Sequence, residues 1–207
     1  MRARFTVQDI AGAALRIVDE QGLAALSMRS LASALGTGPM TVYNYVADKT
    51  ALEELVVAAV VAEIALPAPT DDWRNDVQAI AVALWKGVRA HPAAVPLVLT
   101  RRLSSPTGFA IVDALVAALG RGGLTGTALL AAFHGLLGFV IGAAQTELAG
   151  PLTGSAAEAA DRIGSLAGAE HPHIAALAQV AITTPVERDF TTGLAMLIDG
   201  IALHAQA

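Results

Sequence analysis

Ser27, Arg29, Met40, Thr41, Tyr43, Tyr45 and Lys49 fall within one short stretch, residues 27–52, SMRSLASALGTGPMTVYNYVADKTAL. Together they offer one guanidinium able to bond a base edge at two points. They also offer hydroxyls and an ammonium suited to phosphate oxygens, and an apolar tip suited to a thymine methyl. Nothing comparable suggests covalent chemistry. The chain has no nucleophile elbow, phosphate loop or HExxH, and its five histidines lack metal-ligand spacing. His171-Pro-His173 is a local pair able to pick up a stray metal and no more. The absence of cysteine removes disulfides and thiolate metal sites, and suits a reducing cytoplasm. We therefore assign no enzyme activity, cofactor or metal. The chemistry on offer is recognition.

The elements that must carry these side chains are two short helices. Leu31 and Leu35, four apart, share one face of the first, and Gly36 can take the left-handed conformation that ends it. Thr37 is placed to cap the second, in which Val42 and Val46 face inward and Met40, Thr41, Tyr43 and Tyr45 point elsewhere. Pro39 suits the first turn, where its missing N–H would go unused. This is the pattern of a helix-turn-helix, whose second helix enters a DNA major groove. Before it, residues 5–22 read as an amphipathic helix opened by a Thr6–Asp9 capping box and closed by Gly22. After it, Asp48 caps an apolar helix running to about Leu66. Two prolines and a polar cluster at residues 67–72 then mark a boundary. The expected division is residues 1–47 as the reading head, 48–66 as a connecting helix and 67–207 as a larger domain.

The stretches Ser27-x-Arg29-x-x-Ala32-x-x-Leu35-Gly36, Thr41-Val42-Tyr43-x-Tyr45-Val46 and Asp48-Lys49-x-x-Leu52, preceded by Gly22, Leu23 and Leu26, resemble the TetR family of bacterial transcriptional repressors. In that family, positions matching Arg29, Pro39, Met40 and Thr41 contact bases, and those matching Tyr43, Tyr45 and Lys49 contact the DNA backbone. Ser27 suits a phosphate oxygen as well. Gly38 and Pro39 stand where some members carry polar base readers, so Met40, Pro39 and Thr41 would read thymine methyls and Arg29 a guanine. The resemblance implies a homodimer on a two-fold related, palindromic double-stranded DNA operator, with an effector pocket in each larger domain. It also implies a cytoplasmic, nucleoid-associated protein.

Charge argues the other way and needs an answer. The 207 residues carry a net charge of −5, whereas DNA-binding domains are usually basic. Residues 1–66 hold Arg2, Arg4, Arg16, Arg29 and Lys49 against Asp9, Asp19, Glu20, Asp48, Glu53, Glu54 and Glu63, five cations minus seven acids, net −2. Screening over roughly 8–10 Å makes distribution matter more than the sum. Arg2, Arg4, Arg29 and Lys49 belong near the docking face, while Glu53, Glu54 and Glu63 lie further along the connecting helix. Few ionic phosphate contacts and a shallow salt dependence follow.

The whole chain is 55% hydrophobic and alanine-rich, which argues against strands. We expect an all-α fold, an N-terminal three-helix helix-turn-helix domain followed by a larger helical effector-binding and dimerisation domain. Its helices fall at about 72–90, 93–101, 106–121, 124–148 and 186–206. Residues 150–184, rich in Gly, Ala and Pro, read as a long mobile loop containing one or two short helices. Residues 122–146 carry no charged side chain and contain Gly138-x-x-x-Gly142, so they are long and apolar enough to span a bilayer. Thr125, Thr127, His134, Gln145 and Thr146 dilute the run, no second such segment exists and no basic cluster flanks it. We read it as a helix buried by its own bundle and a partner subunit, outside any membrane. Ala131, Gly135, Gly138 and Gly142 share one small-residue face, and Gly193, Leu197 and Gly200 repeat the design in the last helix, as a four-helix dimer interface requires. Phe133-His134-x-x-x-Gly138 and Phe190-x-x-Gly193-Leu194-x-x-Leu197-Ile198-x-Gly200 resemble the C-terminal domain of the tetracycline-repressor branch.

For a small-molecule effector, the candidate polar contacts are His134, Arg101, Arg102, Gln145 and Thr100, with Leu84, Trp85, Val98, Phe109 and Phe133 as apolar walls. Tetracycline repressors hold a metal-chelating histidine in the short helix near 93–101. Here His91 precedes that helix and Val98 occupies the aligned position, which speaks against a magnesium–tetracycline effector. A mostly apolar pocket points to a lipophilic ligand. The competing reading is a helical small-molecule sensor or binding protein that does not act on DNA.

Overall fold

The computed structural model describes residues 5–101, 106–149, 156–168 and 170–205, and among these every regular element is helical. Helix α1, Val7–Gln21, opens on the expected box: Thr6 Oγ1 accepts from the Asp9 N–H, and Asp9 Oδ2 accepts from the Thr6 N–H. A 3₁₀ turn, Leu23–Ala25, leads into α2, Met28–Ala34. Then come α3, Pro39–Tyr43, and α4, Lys49–Ala62, capped by the Asp48 carboxylate on the Ala51 N–H. Ile10, Ala14, Val18, Leu31, Val42, Val46 and Leu52 bury one shared core where α1, α2, α3 and α4 meet.

The larger part contains α5, Trp73–Ala90, a 3₁₀ turn at Pro92–Ala94, α6, Val95–Arg101, α7, Pro106–Arg121, and α8, Gly126–Ala149. It ends with α9, Ala156–Ala167, α10, Pro172–Thr183, and α11, Val186–Ala205. Helix α5 packs on α7, α8 and α11, and α4 reaches across to α6 and α7. The core therefore runs without a break from Ile10 in α1 to Ile201 in α11.

Two expectations need correction. The connecting helix stops at Ala62 rather than Leu66. The chain turns there so that Ile64 lies against Gly87 on α5; a Cβ on Gly87 would sit 2.5 Å from Ile64 Cγ1. Of residues 150–184, expected as a long loop containing one or two short helices, the described ones form α9 and α10, twelve residues each, which pack against one another and bury Ala159, Ala167 and Ala178. Alanine is the best helix former, and small faces let two helices approach closely. Helix α8 is buried along one side only, through Leu136, Val140 and Ala144, and Ala131, His134, Gly135 and Gly138 face outward. Within one protomer, its own bundle does not enclose it.

Candidate nucleic-acid interface

The reading head is built from caps and turns that the local sequence dictates. Ser27 and Ser30 cap α2 reciprocally, each hydroxyl accepting the other's backbone N–H at 3.1 and 2.9 Å. This fixes the first turn and leaves Arg29 on its exposed side. Helix α2 closes in a Schellman arrangement. Gly36 takes φ +60°, its N–H bonds Ser33 O, and the Thr37 N–H reaches back to Ala32 O at 2.9 Å. Thr37 belongs to the end of α2 and does not cap α3 as expected, because α3 begins one residue too late for it. Gly38 is the N-cap, without a side-chain bond, and Pro39 opens the helix.

Helix α3 ends at Tyr43, short of the Tyr45 and Val46 expected within it; Val42 inside the helix and Val46 just past its end hold it to the core, each 1% exposed. One helical repeat of 3.6 residues then turns Met40 and Tyr43 outward, at 77% and 50% exposed. Gly38, Pro39 and Lys49 are exposed with them, and Thr41 is half-buried. A methionine largely in water on a helix with a satisfied core is a surface the fold itself does not need. Tyr45 differs. Its ring meets Phe5 edge-on at 6.2 Å, and its hydroxyl accepts the Phe5 N–H at 3.4 Å. Tyr45 thus ties the chain ahead of α1 to the end of α3, a tertiary role that its spacing in the sequence does not reveal.

Among the described residues, Arg101 and His91 make polar contacts that join this head and its connecting helix to the larger domain. Arg101 on α6 lies 2.8 Å from Glu53 on α4. His91 lies between Asp19 and Glu63. The sequence allowed Arg101 as an effector contact or equally as a surface or domain-joining charge, and here it joins the domains, although its partner Glu53 could not be named. Sequence reasoning missed Asp76, the buried acid of α5, whose carboxylate accepts from the Thr70 hydroxyl and N–H and from Arg121.

The proposed effector residues are scattered. Trp85 is buried, stacked on Phe190 at 4.3 Å with Arg89 4.4 Å over its other face, and its Nε1–H is without a hydrogen-bond partner. Val98 is buried, and Leu84 and Phe133 are half-buried. Phe109, His134 and Gln145 are exposed, with the Phe133 and His134 rings 5.4 Å apart. Thr100 turns its hydroxyl onto Pro96 O. Arg102 lies outside the described residues. A cavity of about 140 Å³ is lined by Pro67, Pro69, Asp76, Ile80, Ala114 and Arg121 among others, and by none of the proposed residues. Drug-sized pockets run from about 300 Å³, so this hollow is small for such a ligand.

Residues 10–56 match the family described as bacterial regulatory proteins, tetR family, and residues 66–204 match the tetracyclin repressor-like C-terminal domain. The chain belongs to the TetR family. It is similar to the HTH-type transcriptional repressor DrrR1 of Streptomyces coeruleorubidus, 32% identical over 70% of this chain and 54% of that protein. It is also similar to an HTH-type transcriptional regulator of Saccharopolyspora erythraea, 33% identical over 69% of this chain and 61% of the other. The matched part thus spans little more than half the length of these relatives. Among solved structures, apo ActR from Streptomyces coelicolor superposes with a TM-score of 0.84 at 28% identity, covering 100% of this chain and 99% of ActR. ActR in complex with actinorhodin gives 0.82 at 28% identity, covering 99% and 100%.

In this TetR fold the small-residue faces divide. Gly135 and Gly138 have no atom within 4 Å of where a Cβ would sit, so they are open on the protomer surface. Gly142 and Gly200 are half-exposed with the same open space, and Leu197 is half-buried. Gly193 instead accommodates Phe139 of α8, whose Cζ would lie 2.9 Å from an added Cβ. It belongs to packing within the protomer.

Proposed function

We propose that the chain is a ligand-responsive transcriptional repressor that binds a palindromic operator as a homodimer and is released by a small lipophilic effector. The observation that carries the DNA reading is the outward row on α3, Met40 and Tyr43 exposed to water, while Val42 in the helix and Val46 just past it anchor it in the core. In this reading Arg29 bonds a guanine, Met40 and Pro39 meet thymine methyls, and Thr41 bonds a base edge. Gly38 lets the helix start approach closely. Ser27, Tyr43 and Lys49 hold phosphates. Tyr45 keeps α3 in place through Phe5 and reaches the DNA backbone from the flank.

The dimer would form where α8 and α11 leave Ala131, Gly135, Gly138, Gly142, Leu197 and Gly200 uncovered. Residues Gly126–Thr146 are apolar and long enough to cross a membrane, yet Leu136, Val140 and Ala144 are part of the fold's own core. Moving the helix into a bilayer would strip that core, so we place the protein in the cytoplasm on the nucleoid. The effector reading draws support from ActR, which binds actinorhodin in a structure of the same fold. In this chain the orphaned Trp85 Nε1–H, the half-buried Leu84 and Phe133 and the buried Val98 supply the apolar and donor groups, and the site opens as ligand enters. Ligand binding would move α6 and, through Arg101 and Glu53, α4. Half-sites one turn apart need recognition helices about 34–36 Å apart, so a few ångströms of displacement would break both contacts. The ligand must prefer the DNA-incompetent state, since equal affinity shifts nothing.

Selection of bound duplexes from a random pool tests this directly. Recovery of a two-fold related sequence supports it. Failure to enrich any duplex at low salt would favour a sensor that does not act on DNA.

A further inference from the structure

Where the reading head meets the larger domain, His91 stands between two carboxylates. Its Nδ1 is 2.9 Å from Asp19 Oδ2 on α1, and its Nε2 is 2.9 Å from Glu63 Oε2, directly after α4. His91 itself ends α5 and begins the Pro92–Ala94 turn, which packs on α1 and α4. One side chain therefore ties three elements that are distant in sequence. The imidazole is 11% exposed, against 31% for Asp19 and 60% for Glu63. A neutral imidazole has one N–H and one lone pair. Two carboxylates at this distance require two donors, and only the imidazolium has them.

We propose that His91 is a proton-operated clasp between the reading head and the larger domain, closed on both Asp19 and Glu63 when charged and released on one side when it loses its proton. The proposal rests on the joint alone and holds whether or not the chain reads DNA. Asp19 faces the ring from α1 and Glu63 from the end of α4. Arg89 on α5 is directed to Glu187 and the Trp85 ring, and Arg101 on α6 to Glu53.

Burial pulls the His91 pKa down, but the hydrogen bonds to Glu63 and Asp19, with their charges, outweigh it and hold it above the ordinary value of about 6.5. A raised folded-state pKa makes the clasp's contribution complete below the unfolded value, and it is lost as pH rises through the folded one. The joint is thus tight in mildly acid conditions and loosens on the alkaline side of about 6.5.

Histidine ring proton signals of the full chain, followed by NMR against pH, decide the matter, with His91 identified by its loss in His91→Gln. The clasp requires a His91 midpoint above about 6.5 that falls in Asp19→Asn and in Glu63→Gln. Amide-exchange protection factors in the last turn of α1 or of α4, whichever side is released, should drop on the order of tenfold across that midpoint, the factor for one bond to a charged group. In His91→Gln they should not change with pH. A midpoint at or below about 6.5, one unmoved by both carboxylate variants, or protection flat in the unmodified chain, each overturns it. If His91→Gln does not fold, the shifts in the two carboxylate variants assign the signal and decide the question.

Discussion

The Arg101 guanidinium on α6 lies 2.8 Å from the Glu53 carboxylate on α4, with the two side chains 29% and 16% exposed. This contact crosses from the larger domain to the helix that leaves the reading head. Partial shielding from water makes it stronger than an open surface pair. We expect a double-mutant cycle of Arg101→Met and Glu53→Gln, measured by urea unfolding, to give a coupling of about 1 kcal/mol. A coupling indistinguishable from zero would show that this pair adds nothing to the joint.

Arg29 is the bidentate donor on the exposed side of α2. Arg29→Ala should cost about 1–3 kcal/mol of operator binding and relax one operator position, read by fluorescence anisotropy on a selected duplex and its single-base variants. Its exposure means the fold should be untouched. The salt slope should correspond to two or three cations per subunit. A steeper slope would show that the acidic balance of residues 1–66 is overcome by contacts beyond those proposed.

Gly138 has open space where a side chain would grow. Gly138→Arg should leave the protomer's helical signal unchanged, yet place an unpaired charge against its symmetry mate in the proposed dimer. We expect sedimentation velocity to show dissociation, with association weakened by about 3 kcal/mol or more, roughly a hundredfold in Kd. A dimer that persists at the original affinity removes the outer face of α8 from the interface.

Asp76 is buried on α5, and the Thr70 hydroxyl lowers its pKa first of all. Burial works against this, and the Thr70 N–H and Arg121 add to the lowering. A depressed carboxylate pKa gives stability that is present above the unfolded value, about 3.9, and lost as pH falls through the folded value. Asp76→Asn should therefore lower the unfolding midpoint at neutral pH and shrink its fall between about pH 4 and pH 2. Equal acid sensitivity in the variant and the unmodified chain would show that other carboxylates dominate.

The reading head was legible along the chain because its determinants are local. The Thr6–Asp9 box, the Ser27 cap, Gly36 at φ +60° and the Asp48 cap each act within a few residues. Periodicity placed Val42 inside and Met40 and Tyr43 outside for the same reason, since a helix maps spacing directly onto direction. Thr37 was the local failure, because α3 begins only at Pro39 and its N-cap position falls on Gly38.

Elsewhere, position in the chain says little about company in space. Within residues 150–184 one or two short helices were expected, but not that α9 and α10 would each run twelve residues and pack face to face, a property neither segment shows alone. His91 meets Asp19 and Glu63 across 72 and 28 residues, and Arg121 meets Asp76 across 45. Gly193 reads as one more residue of a small-faced stripe until Phe139 is found against it. Caps, turns and helix faces are short-range physics that the order of residues already contains. Which carboxylate a histidine meets, and which glycine receives a ring, follows from how helices pack, and packing depends on the whole chain at once.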